Sequence, residues 1–278
     1  MRSLSIALCC VACGGELQAS NADDSGVGDT QAVGPEAGPT SVPRDALVWL
    51  ESDQGLSGGG VVFRWKDQSG SNNDATSDAP TRPILVANGL HGIAVVGFDG
   101  NAYLSLPSGF SDFTKGLSAF VVVKAGTAPH PSNLAARVFD LAPSFGTLTD
   151  SILYVRYWPN GQDLLMYQVY AGGSPGPNVG AANAFTDGAW QELAVIAPGG
   201  DAGTSVNASL YKGGMPVATS SVLVPNLATR QSNFIGKSNL SADPLFVGEI
   251  AALILFKRAL QPSERLAMDD YLKRKWAF

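Results

Sequence analysis

Two antiparallel β-sheets packed face to face, closed by one short C-terminal helix, are what this sequence predicts, on three observations. From Arg44 onward, short apolar runs are separated by clusters of Gly, Asn, Asp and Pro, the texture of strands at close spacing. No helical pattern is interleaved between those runs, which argues against a doubly wound parallel sheet and for an all-β sandwich. Only the C-terminal end changes period: Met268, Tyr271, Leu272 and Trp276 recur at three- and four-residue intervals and make one apolar stripe.

Residues 46–50, 61–65, 93–98, 119–123, 152–158, 164–170, 190–197, 205–211 and 250–256 read as strands. Within 152–158 the alternation puts Tyr154, Arg156 and Trp158 on one face and Leu153, Val155 and Tyr157 on the other. Asn160-Gly161 then fits a tight hairpin, because both residues tolerate positive φ, and Lys212-Gly213-Gly214-Met215 plays the same part before 216–221. Pro262 suits the first turn of the helix, Glu264 its positive end, and Lys273, Arg274 and Lys275 its negative end. That helix is expected to dock on the sandwich.

The chain has 278 residues, 45% hydrophobic and 15% charged, where an average domain has about 25% charged, so it holds ample material for one core. Its formal net charge of -6 has the wrong sign for tracking phosphates, and nucleic acid is not an expected partner. Cys9, Cys10 and Cys13 are the only cysteines, so disulfides, thiolate zinc sites and thiol catalysis are excluded from everything after them.

The N-terminal region divides into residues 1–12 and 13–43, ahead of a body at 44–278. Arg2 followed by the apolar run 3–8 is a secretory pattern too short to span a bilayer. Cys10-Val11-Ala12-Cys13-Gly14-Gly15 resembles a bacterial lipoprotein signal, which implies lipidation of Cys13; Cys10 as acceptor and a plain export signal are the alternatives. Gly14 after the acceptor implies the outer membrane, facing either the periplasm or the cell surface. Between Gly14 and Pro43 there are five acidic residues, no Lys or Arg and no aromatic ring, the composition of a disordered tether. As a flexible coil it would reach about 30 Å from the membrane.

Four stretches in the body resemble the laminin-G-like or concanavalin-A-like lectin/glucanase jelly rolls. Val48-Trp49-Leu50-Glu51-Ser52-Asp53 resembles the opening strand, and Trp65-Lys66-Asp67-Gln68-Ser69-Gly70 through Ala75 the Trp-x-Asp-x-Ser-Gly segment. Phe98-Asp99-Gly100 and Asp187-Gly188-Ala189-Trp190 match two further strand signals. Near the C-terminus Phe234-Ile235-Gly236, Gly248-Glu249-Ile250 and Arg258-Ala259-Leu260 follow in the family's order. The resemblance implies a jelly-roll sandwich and leaves function open, because this fold hosts lectins, glycosidases and scaffolds alike.

A glycosidase needs two carboxyls across the scissile bond. The glucanases that this fold resembles carry Glu-x-Asp-x-x-Glu on one strand; the nearest string here, Glu51-Ser52-Asp53-Gln54-Gly55-Leu56, lacks the last Glu, and the body has only Glu51, Glu192, Glu249 and Glu264. Two Gly-x-Ser-x-Gly strings, at 55–59 and 172–176, lack the strand-then-helix setting of a nucleophile elbow and read as loops. His91 and His130 lie in turn-like stretches. No catalytic residue is therefore assigned. Asp67, Asn72, Asn73 and Asp74, and separately Asp99 and Asn101, cluster oxygens that either hold calcium or close turns on their own backbone.

Sugar recognition needs an aromatic face flanked by planar polar groups. Tyr154, Arg156 and Trp158, with Tyr167 and Tyr170 across the Asn160-Gly161 turn, form the densest aromatic patch; they either line a ligand face or pack between the sheets. The expected function is recognition of a glycan or a surface protein by an anchored, non-catalytic sandwich. A glycoside hydrolase and a purely structural adhesion module of the cell envelope are the alternatives.

Overall fold

The computed structural model describes residues 41–127 and 133–278, all within the unit Pro39–Phe278. The expectations for the leader, for Cys13, for the tether up to residue 40 and for His130 lie outside the described residues. Strands β1 (Val48–Glu51), β2 (Leu56–Ser57), β3 (Arg64–Trp65), β4 (Ala75–Thr76), β5 (Ile84–Leu90) and β6 (Ile93–Asp99) come first. They are followed by β7 (Leu104–Leu106), β8 (Gly116–Ala125), β9 (Ala135–Ala142), β10 (Ile152–Tyr157), β11 (Leu164–Ala171) and β12 (Ser174–Ala182). Strands β13 (Trp190–Pro198), β14 (Ser205–Lys212), β15 (Met215–Leu223), β16 (Ser232–Ile235) and β17 (Val247–Phe256) lead into the helix α1 (Pro262–Trp276).

The first sheet runs β15-β14-β13-β8-β17-β6-β5, with β1 also on β17, and the second runs β12-β11-β10-β9-β16-β7-β4-β3-β2. Strand β16 returns from far along the chain to pair with both β9 and β7, and both pairings are antiparallel. Between the sheets lie Leu50, Val121, Leu193 and Leu253 from one side and Phe139, Leu141, Leu165 and Val169 from the other.

A second apolar layer covers the outer face of the first sheet. Trp49, Phe120, Ala194, Ile254 and Phe256 there meet Met268, Leu272 and Trp276 of α1, the stripe that the helical spacing predicts. The Gln261 amide donates to Glu264 Oε2 at 2.8 Å, which satisfies one helix-end donor, and Lys275 Nζ reaches Glu51 Oε2 at 2.8 Å to clamp the far end. Loops rather than a helix pack against the outer face of the second sheet, where Leu148 lies on the buried side chains of Ala135, Leu153, Val155 and Met166. Among the described residues no helix lies on that face.

The chain reverses at both predicted turns: Gly213-Gly214, with φ of 54° and 75°, is the tight hairpin between Lys212 and Met215, whereas Asn160 and Gly161, with φ of 50° and 79°, belong to a 3-10 turn, Pro159–Gly161, within a longer connection from Tyr157 to Leu164. The string at 172–176 is not a loop throughout: Gly172 and Gly173 turn the chain, and β12 begins at Ser174. Its prolines have no N–H to give a ladder, and they are accommodated because β12 is the edge of its sheet.

Candidate functional site

Residues directly opposite one another in an antiparallel ladder present their side chains to the same face. Across the second sheet, Phe234, Asp140, Leu153, Gln168 and Asn178 are successive partners on β16, β9, β10, β11 and β12. The neighbouring row holds Arg137, Val155, Met166 and Gly180, and the next Ala135, Tyr157, Leu164 and Ala182. All belong to the outer face, and Ala135, Arg137, Leu153, Tyr157, Met166, Gln168 and Asn178 among them line a cleft of about 330 Å³.

The floor of this cleft is polar and locked. Arg137 is only 3% exposed; its Nη2 donates to Asp243 Oδ2 at 2.7 Å and its Nε to Asp140 Oδ2 at 3.3 Å. Asp140 also accepts from the amide and the side chain of Asn239, at 2.9 and 2.8 Å. Burial raises the Asp140 pKa above the ordinary carboxylate value, and Arg137 and the Asn239 bonds pull against that rise. Ser238 Oγ donates to Asp243 Oδ2 at 2.8 Å, so both carboxylates are engaged by neighbours.

The walls are aromatic and amphipathic. Tyr157 and Tyr170, both half-buried, stand on either side with Leu148, Leu153 and Met166 between them. Burial raises the pKa of the Tyr170 hydroxyl, so it remains a neutral donor and acceptor at ordinary pH. Gln168 Nε2 donates to the Gly176 carbonyl at 2.7 Å, fixing the plane of its amide at the cleft edge beside exposed Asn178. Aromatic rings around planar polar groups are what binding the flat apolar side and the hydroxyls of a sugar requires.

The residues singled out from the sequence face the other way. Tyr154, Arg156 and Trp158 do share one face, but it looks into the sandwich: Tyr154 and Tyr167 are 0% exposed and Trp158 is 5% exposed. Tyr154 stacks on Phe139 with ring centroids 5.5 Å apart. Arg156 is fixed by Asp163, by Asp187 at 2.7 Å and by the Gly126 carbonyl at 3.1 Å. These four are therefore corrected from a ligand face to interior packing. The alternation tells which residues share a side; which side faces water depends on the partner sheet. Of the aromatic patch, Tyr170 alone joins the cleft, with Tyr157 from the opposite face of β10.

The oxygen-rich turns are closed on themselves. Asp67 accepts from the amides of Trp49, Ser69 and Asn73 and from Ser69 Oγ, at 2.7–3.0 Å, while Asp74 accepts from the Asp67 amide at 2.8 Å. Asp99 accepts from the Asn101 amide at 2.9 Å. Among the described residues there is no group of three or more His, Cys, Asp or Glu placed to hold a metal. His91 meets the Ala277 carbonyl at 2.9 Å, beyond the end of α1. Glu51, Glu249 and Glu264 are paired with Lys275, Lys124 and Arg258.

Comparison with known proteins agrees with this architecture. No curated protein sequence matches the chain. Among solved structures, domain 4 of AbnA, an extracellular GH43 arabinanase from Geobacillus stearothermophilus, in complex with arabinotriose, superposes with a TM-score of 0.58 at 18% identity. That match covers 81% of this chain and 98% of the other. The receptor-binding domain of botulinum neurotoxin type G follows at 0.55 and 12% identity, and a Trypanosoma rangeli sialidase in complex with sialic acid at 0.52 and 15%. The matches cover 82% and 85% of this chain but only 51% and 34% of those two. At such identities the likeness is one of fold. The family model described as the concanavalin A-like lectin/glucanases superfamily matches residues 98–264, from the end of β6 into α1, and the chain belongs to that superfamily.

Proposed function

We propose that the protein is a non-catalytic carbohydrate-recognition module whose ligand lies in the cleft on the outer face of the second sheet. The observation that carries this reading is the pair Tyr157 and Tyr170 walling a buried Arg137–Asp243 floor on an outer sheet face that, among the described residues, no helix covers. The similar arabinanase domain was captured with arabinotriose, which supports a saccharide as the ligand class. Absence of catalysis is supported by the state of the two cleft carboxylates: Asp140 is fully buried, and both it and Asp243 are held by one guanidinium, leaving neither poised as acid or nucleophile. Lipidation at Cys13 and an acidic tether would display the module at the outer membrane.

A glycan array is the direct test. Binding that is lost in Tyr157→Ala and Tyr170→Ala, with the fold intact by circular dichroism, supports the cleft; a wild-type protein that captures no glycan overturns it and leaves the adhesion-module alternative. Release of reducing ends from a bound polysaccharide would reverse the non-catalytic assignment. Palmitate labelling in a competent bacterial host should require Cys13.

A further inference from the structure

We propose that the same sheet face carries a second subsite, centred on Lys237, that takes a carboxylate-bearing sugar residue; the inference rests on the carbohydrate reading of the cleft. Lys237 Nζ lies 4.1 Å from the ring centroid of Tyr103, 4.5 Å from that of Phe234 and 4.7 Å from that of Phe145. The rings brace one another edge-on, Tyr103 to Phe234 at 5.5 Å and Phe145 to Phe234 at 6.3 Å. Three rings thus hold one ammonium group, while among the described residues no carboxylate or carbonyl is bonded to it.

Ring quadrupoles orient a cation and strip water from its flanks, but they do not neutralise it. A partly desolvated, unpaired ammonium group attracts an anion more strongly than a lysine in open water does. Beside it Phe145 is 52% exposed, an apolar platform of the kind that accepts the flat side of a sugar ring. An apolar platform next to an unneutralised cation fits a uronate- or sialate-type residue better than a neutral one.

Placement ties this cage to the cleft. Phe234 stands in the same cross-strand row as Asp140, Leu153 and Gln168, three strand spacings from Gln168, or about 14 Å. The two loops between them are joined by the Gly146 amide donating to the Asn239 carbonyl at 2.9 Å; one carries Phe145 and Leu148, the other Lys237 and Asp243. Asp140 and Asp243 make the cleft end unwelcoming to a carboxylate, so the acidic residue belongs at Lys237 and neutral residues in the cleft.

The test is titration of the protein with tetragalacturonate and sialyllactose, against cellotetraose and lactose as neutral probes. At low salt at least one acidic probe should bind tenfold or more tightly than its neutral counterpart, and that preference should shrink with added salt. Lys237→Met should remove the preference and leave neutral binding intact, Lys237→Arg should keep it, Phe145→Ala should weaken the acidic probe by taking away its platform, and Tyr170→Ala should weaken both probes. An acidic preference that survives Lys237→Met, or no acidic preference while neutral sugars bind and Tyr170→Ala abolishes that binding, overturns this subsite and spares the cleft. Binding of a polyglutamate peptide at Lys237 with no acidic sugar bound also overturns it. No sugar bound by the wild type overturns both readings.

Discussion

Arg137 and Asp243 face each other at 2.7 Å from positions 106 residues apart, and the same guanidinium reaches back to Asp140 on its own strand. One cation thereby serves two carboxylates on a sheet face from which water is largely removed. Removing one partner of a buried ion pair is costly because the other charges stay behind uncompensated. Arg137→Met should therefore destabilise the protein by about 3 kcal/mol at neutral pH, measured by urea unfolding. The deficit should shrink on acidification. The native pKa of Asp140 already lies above its ordinary value, so the native state takes up its proton more readily than the unfolded chain, and falling pH favours the fold. A loss under about 1 kcal/mol, or one that grows towards acid, would contradict this account.

The inward face of β10 makes the opposite demand. The hydroxyls of Tyr154 and Tyr167 are fully buried with no hydrogen-bond partner among the described residues, and burial raises both pKa values far above the usual phenol value, so neither ionises. An unmet buried hydroxyl costs about 1–3 kcal/mol, so Tyr154→Phe should stabilise the protein by about 1 kcal/mol and leave sugar binding unchanged. Calorimetric melting gives the first quantity and titration the second. Lower stability in the phenylalanine variant would mean that the hydroxyl is satisfied after all.

Much of the scaffold was legible because local rules govern it. Asn160-Gly161 announces a reversal of the chain through its backbone freedom, and Met268, Leu272 and Trp276 announce a docked helix through their period. The cleft was hidden for the opposite reason. Arg137 and Asp140 interrupt the apolar run that becomes β9, so their strand has no clean alternation, and the partners that make their burial tolerable, Asn239 and Asp243, are about a hundred residues away. The aromatic hairpin was visible, but its sense was not: period two assigns Tyr154 and Tyr157 to opposite faces without saying which of them the other sheet covers. Strand β12 was obscured by its glycines and prolines, which only an edge position permits.

The Asp67 turn leads to a prediction about calcium. Its two oxygens accept four bonds, one of them from the Trp49 amide in the strand that α1 covers. Asp67→Ala would strand buried donors and should cost about 2 kcal/mol in a denaturant melt. With the carboxylate saturated by the chain, added calcium should leave the melting temperature of the wild type where chelator leaves it. A rise with calcium would show that the ion displaces these donors.

Beneath α1, acid groups set a pH dependence of their own. Glu192 is fully buried, accepting the Gly214 amide at 2.9 Å, and its pKa is pushed up to about 8, first by burial and then by the charge of Asp269. Asp269, paired with Arg265, is raised to about 6, again mainly by burial, with Lys273 opposing. Both values lie above those of an unfolded chain, so over this range the native state holds more protons than the unfolded one. Stability should then fall as pH rises from about 4 to about 8, by no more than about 1.4 kcal/mol per pH unit for each proton involved. Glu192→Gln keeps the shape and cannot ionise, so it should flatten the profile between pH 6 and about 8. Urea midpoints taken at unit steps from pH 5 to about 9 would decide the matter. Equal slopes for the variant and the wild type would place the proton elsewhere.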